Sequence, residues 1–171
     1  MAHHWDPAPL RIPDLAVDSI WFEPTAMTGV TNFEQDWDSV KEKTFLHRFK
    51  AREIYRLLST VLTSNLSGDI AECGVYEGGI SALLAKIIQN QSPEKRIHLF
   101  DSFEGLPKLD HNKDLKFYGE GMMSFPENSV RQFFEEQQLT EFSVFHPGWF
   151  DQTLPKLEQE QSFCFIHIDC D

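Results

Sequence analysis

From residue 39 onward, apolar and polar positions fall into two alternating rhythms, one helical and one strand-like. Residues 1–35 carry neither. Pro7, Pro9, Pro13 and Pro24 and the Thr28-Gly29 pair interrupt them, although Trp5, Trp21, Phe22 and Phe33 suggest a segment lying on a domain. The pattern Ser39-x-x-Glu42 reads as a capping box that opens a long helix. Leu46, Phe49, Ile54, Leu57, Leu58, Val61 and Leu62 would form its apolar face. Short apolar runs then alternate with amphipathic stretches. Strands are predicted over 70–75, 96–100, 142–145 and 163–168, and helices over 80–88, 128–139 and 151–157. Residues 102–127 form a long loop rich in Gly and Pro, and such a loop inside a compact domain is usually functional.

Strands alternating with helices imply an α/β fold with a parallel sheet covered on both faces. The organisation expected is an irregular segment over 1–38 and one domain over 39–171. Ligands in such sheets sit beyond the carboxyl ends of the strands. Glu72 to Gly79, Asp101, Gly148 and Asp169 all lie at such ends.

Charge narrows the partner. Fifteen basic residues against 27 acidic ones give a net charge of −12, the wrong sign for neutralising phosphates. A small-molecule partner is expected, and nucleic acid is not. No apolar run approaches a membrane span, and Pro7, Pro9 and Pro13 exclude a signal-peptide core. Cys73, Cys164 and Cys170 have no metal-site spacing and are an odd number for disulfides. They are expected to be reduced and mostly buried, in a cytoplasmic protein.

The first strand-to-helix turn reads Glu72-Cys73-Gly74-Val75-Tyr76-Glu77-Gly78-Gly79. Glycines let backbone approach a ligand closely. Asp101 ends the next strand, 27 residues after Gly74, where an acid can accept hydrogen bonds from ribose hydroxyls. Both features suit an adenosine-containing cofactor. A dinucleotide site needs G-x-G-x-x-G, with bare amides aimed at a pyrophosphate. Here Glu72 would stand beside the ligand, repelling a pyrophosphate but attracting the amino group or sulfonium of S-adenosylmethionine (SAM). The plainer alternative is that Gly78 and Gly79 only start a helix near the sheet and Asp101 only caps a turn.

The stretch 68–79 resembles the opening motif of the macrocin-type (TylF/MycF) O-methyltransferases. Phe100-Asp101-Ser102-Phe103-Glu104-Gly105-Leu106-Pro107 is similar to a second block of that family. Pro147-Gly148-Trp149-Phe150 with Thr153-Leu154-Pro155 looks like a third, and Ile166-His167-Ile168-Asp169-Cys170-Asp171 like its acidic D-x-D block. The resemblance covers roughly residues 25–171. It implies a Rossmann-like class I SAM-dependent methyltransferase, a divalent metal (usually magnesium) and methyl transfer to a hydroxyl, often on a sugar of a natural product. By position, Glu72, Gly74 and Ser81 would line the methionine end of SAM, with Val75, Tyr76, Gly78 and Gly79 in the loop around it. Asp101, Ser102 and Phe103 would hold ribose and adenine, and Gly148, Trp149 and Phe150 would close over the adenine side. Met27 and Thr28 resemble an N-terminal cofactor contact.

Asp169 and Asp171 are the expected catalytic and metal-binding residues. Their hard oxygens suit magnesium, which would lower the pKa of the acceptor hydroxyl. Either could take the proton as general base. The alternative is a pair of exposed acids without a ligand. His167 and His146 are expected to be structural. The family continues through further strands, so the sheet is expected to be truncated after the fourth strand, with an exposed edge. Full catalysis by these 171 residues alone is therefore not expected.

Two other functions compete. A metal-dependent glycosyltransferase would use the D-x-D pair but gives no account of the loop at 72–79. A non-catalytic methyltransferase-like domain would keep the fold without turnover. Homo-oligomerisation stays open, since the aromatic N-terminal segment offers a surface to a second subunit.

Overall fold

A computed structural model of the chain describes residues 32–108, 119–158 and 160–170. Its elements in chain order are α1 (Phe33–Val40), α2 (Arg48–Thr63), β1 (Asp69–Cys73), α3 (Gly79–Gln91), β2 (Ile97–Asp101), α4 (Glu127–Glu136), β3 (Ser143–Pro147), α5 (Phe150–Thr153) and β4 (Phe163–Ile168). The four strands form one parallel sheet in the order β3-β2-β1-β4. The chain winds outward from β1 to β3, then returns to the other side of β1. That reversal is the topological switch point, where open α/β sheets bind ligands.

The sheet's alternation decides what each face meets. Ile70, Ile97 and Leu99 are fully buried and join the core built with the helices. α3 is apolar almost all round. Ile80, Ala82, Leu83, Leu84, Ala85, Ile87 and Ile88 are all buried, so α3 is a central helix packed on more than one side. Val130, Phe133 and Phe134 of α4 complete this layer, as their spacing predicts. The opposite face of the sheet carries aromatic rings. His146 stacks on Phe100 at 4.3 Å between centroids and on His98 at 5.0 Å. His98 Nδ1 lies 2.9 Å from His146 Nε2, and its Nε2 lies 3.3 Å from Asp69 Oδ2. These histidines tie β1, β2 and β3 together.

The N-terminal helices differ from expectation. Helix begins at Phe33, within the stretch read as irregular, and is capped by Asn32, whose side chain accepts from the Glu34 amide. Phe33, Trp37 and Val40 recur at helical spacing and enter the core. Ser39 and Glu42 do not form a capping box. The Ser39 hydroxyl donates to the Asp36 carbonyl inside α1, and the helix ends at Val40. A separate helix, α2, starts after His47 and buries Ala51, Tyr55, Leu58 and Leu62. Phe49 and Leu57 are instead about half exposed. Tyr55 donates to Asp36 at 2.9 Å and meets Phe33 edge-on, clamping the two helices.

The long loop folds back on itself where it is described. The Leu106 amide donates to the Met122 carbonyl, and the Gly121 amide to the Leu106 carbonyl. No cysteine is in a disulfide. Cys73 and Cys164 are half-buried, but Cys170 is exposed, against expectation. Among the described residues no helix is long and apolar enough to cross a membrane.

Candidate active site

A cavity of about 380 Å³ opens at the carboxyl ends of β1, β2 and β4. It exists because backbone segments meet there at distances only glycine permits. Gly74 has φ +92°, and a Cβ on it would stand 2.2 Å from the Asp169 carbonyl oxygen. The β1 turn can therefore press against the end of β4. At Gly79 a Cβ would lie 2.5 Å from the Lys43 carbonyl. Its absence lets the link between α1 and α2 cross the start of α3 and reach the cavity. Lys43, Thr44, Phe45 and Leu46 line it from that side. The sequence reading named none of these four as site residues, nor Ile80, Gly105, Leu106, Pro107, Met123, Ile168 and Cys170, which also line the cavity.

Glu72 forms part of the cavity wall yet is only 1% exposed. The Ser81 hydroxyl makes a very short hydrogen bond to its Oε2. His167 Nδ1 lies 3.0 Å from Oε1. Glu72 and His167 are register partners on neighbouring strands, which puts both side chains on one face. With Glu72 ionised, the shared proton must sit on Nδ1 of His167. Burial pushes the Glu72 carboxyl above the usual carboxylate range, partly opposed by His167 and Ser81. Burial alone would lower the His167 pKa. The hydrogen bond and charge of Glu72, with Asp169 nearby, outweigh it and hold the imidazole above its ordinary value.

Asp101 holds the loop above it. Its Oδ2 accepts the Val75 amide at 2.6 Å and the Tyr76 amide at 3.2 Å, and its Oδ1 accepts the Phe103 amide at 2.7 Å. A carboxylate oxygen takes about two donors. Oδ2 is thus filled from within the chain, and among the described residues Oδ1 has one donor, Phe103, leaving room for a second.

Most of the other expected site residues come together here. Gly74, Val75, Tyr76, Gly79, Ser102, Gly148, Trp149, Phe150 and Asp169 all line the cavity. Three do not. Ser81 is fully buried behind Glu72. Gly78 is the left-handed residue that caps α3, against Val130. Phe103 packs its ring on the core and offers Asp101 its amide. Met27, Thr28 and Asp171 lie outside the described residues. Tyr76 takes a left-handed backbone at φ +51° and stacks on Phe45 at 4.9 Å, setting two aromatic rings at the cavity. His146 and His98 lie away from it, consistent with a structural role.

The donor set is acidic at both ends, Glu72 and Asp101, with Lys43 neutralised by Glu77 at 3.1 Å. It suits a ligand carrying a cationic group and ribose hydroxyls. It is a poor match for a pyrophosphate. The metal expectation fares differently. Among the described residues no group of three or more His, Cys, Asp or Glu side chains could hold a metal ion. Asp169 alone does not make a magnesium site.

A parallel sheet with this order and an acid-lined cavity at its switch point define a Rossmann-like methyltransferase fold. The chain belongs to the macrocin-O-methyltransferase (TylF) family, whose profile matches residues 25–171. It is 30% identical over 129 residues to the 8-demethyl-8-(2,3-dimethoxy-alpha-L-rhamnosyl)-tetracenomycin-C 4'-O-methyltransferase of Streptomyces olivaceus, covering 71% of this chain and 49% of that protein. It is 28% identical over 141 residues to the demethyldecarbamoylnovobiocin O-methyltransferase of Streptomyces niveus, covering 78% and 53%. Among solved structures, the O-methyltransferase NovP superposes with a TM-score of 0.65 at 25% identity, over 75% of this chain and 56% of that one. A calicheamicin methyltransferase, at 17% identity and a TM-score of 0.59 over 80% and 65%, shares the fold. The chain spans about half the length of the curated relatives it matches. Membership of this family counts against the glycosyltransferase alternative.

Proposed function

We propose that this chain binds SAM in the cavity and serves methyl transfer to a hydroxyl of a small natural product. The observation that carries this reading is Glu72, an acid buried at the cavity wall and provided with two donors, in a cavity lined also by a second acid, Asp101. Bound SAM supplies an activated methyl group on a sulfonium. Glu72 would attract the amino group or sulfonium, and the remaining acceptor position on Asp101 Oδ1 would receive one ribose hydroxyl. Thr44, Phe45 and Leu46 would cover the ligand from one side, and Gly148, Trp149 and Phe150 from the other. Asp169, exposed at the end of β4 and on the cavity wall, would take the proton of an attacking hydroxyl. Most of the acceleration would come from aligning the two reactants. The name of the tetracenomycin relative supports a sugar hydroxyl as the acceptor group. Magnesium would need ligands beyond Asp169, with Asp171 the candidate in sequence, and the chemistry proposed runs through no metal.

Calorimetric titration with SAM and with its demethylated product tests the reading. Saturable binding that is lost in Asp101→Ala and weakened in Asp101→Asn is the expected result. A folded protein that binds neither ligand would refute it. Binding of a UDP-sugar in place of SAM would return the glycosyltransferase alternative.

A further inference from the structure

Ser81 and Glu72 are buried and His167 is half-buried beside them, which raises the question of why an acid should be kept there at all. Its surroundings are apolar: Ile70, Leu99, Ala82 and Leu83 are fully buried in the same layer. Removing a carboxylate from water carries a penalty of several kcal/mol, and well-packed apolar residues often replace buried ionic groups without loss. The two donors come from different elements, α3 and β4, and each meets a different oxygen. A carboxylate so held has lost its torsional freedom. Among the described residues each oxygen has one side-chain donor, which leaves one acceptor position on each. Ser81 and His167 do not themselves line the cavity, whereas Glu72 does. Their route to a ligand is therefore through Glu72.

We infer that Ser81 and His167 are positioning residues that fix the Glu72 carboxylate between two donors, with its remaining acceptor positions available to the amino group of the cofactor's methionine end. This rests on the SAM reading above. It corrects the expected role of Ser81, from a group lining the ligand to one acting behind Glu72. It also gives His167 a task beyond filling the sheet. The clamp acts at one end of the ligand only. Adenine and ribose lie with Asp101 and the Gly148 to Phe150 turn, so they should not sense it.

The test is calorimetry on the full chain with two ligands, SAM and methylthioadenosine, which lacks the amino-acid end. Ser81→Ala is expected to weaken SAM about tenfold, the scale of one charge-assisted hydrogen bond, and Ser81→Thr to restore most of it. His167→Leu should weaken SAM by more than Ser81→Ala, and His167→Gln, which keeps a donor, should recover part of the loss. Methylthioadenosine should bind all four variants within about twofold of the parent, since its contacts are unchanged. Equal losses for both ligands would overturn the inference, because they would report general loosening of the fold. Unchanged SAM affinity in every variant would overturn it too, while leaving the cofactor reading intact. A parent protein that binds neither ligand would overturn both. Should His167→Leu not fold, the Ser81 pair decides the matter by the same criteria.

Discussion

Gly74 is the residue with least room to change. Its φ of +92° is costly for any side chain, and its missing Cβ is the space occupied by the Asp169 carbonyl. Gly74→Ala should therefore cost at least about 2 kcal/mol, read as a lower midpoint in urea, and should weaken SAM because both cavity walls shift. At Glu72 the expected result is the reverse. Glu72→Gln keeps the shape, an acceptor oxygen for His167 and an amide NH2 that can donate to the Ser81 hydroxyl, but removes a buried charge. It should abolish measurable SAM binding while leaving stability within about 1 kcal/mol of the parent by denaturation. A large loss of stability would show Glu72 to be structural. That Glu72, Gly74 and Asp101 would meet at one cavity was legible in the sequence, because all three lie at the carboxyl ends of parallel strands. What the sequence hides is which polar group faces the ligand and which supports from behind. Ser81 and Glu72 are nine residues apart, and only the packing of α3 on β1 shows that one lies behind the other.

At the scale of elements, the strands lie within a few residues of their predicted places because short apolar runs between turns admit little else. The N-terminal helices were less legible. Ser39 and Glu42 match a capping box by spacing, but a serine inside a helix can donate to a carbonyl three residues back, as Ser39 does. Phe33, Trp37 and Val40 carry the helical rhythm but follow a proline-broken stretch that obscures its start. The histidine pair across β2 and β3 gives these strands a pH dependence. Burial, and then the charge of His98, lowers the His146 pKa below its ordinary value. A depressed folded-state pKa contributes stability above the unfolded value of about 6.5 that is lost as pH falls through the folded one. Thermal melts should thus show the parent losing more stability between pH 7.5 and 5.5 than His146→Phe, which keeps the stack on Phe100. Equal losses would place the acid sensitivity elsewhere.

For the molecule as a whole, the cavity and the core are linked through α1. Trp37 is buried and stacked with Phe33, and the link that follows α1 supplies Lys43, Thr44, Phe45 and Leu46 to the cavity wall. No local pattern marks those four residues as site residues. They reach the cavity only because α1 docks on α3 and because Gly79 lets the backbone pass. Stability and ligand affinity should therefore fall together when that docking is loosened. Trp37→Ala is expected to cost about 3–5 kcal/mol by the cavity it leaves. Ligand should oppose that loss: a hundredfold excess over Kd stabilises a folded protein by about 2.7 kcal/mol. In the parent, SAM should raise the melting temperature accordingly. In Trp37→Ala, the same SAM concentration should give a smaller rise, because the weakened wall lowers affinity. A variant that melts early yet gains as much from SAM as the parent would separate the two, and would show that α1 supports the core alone.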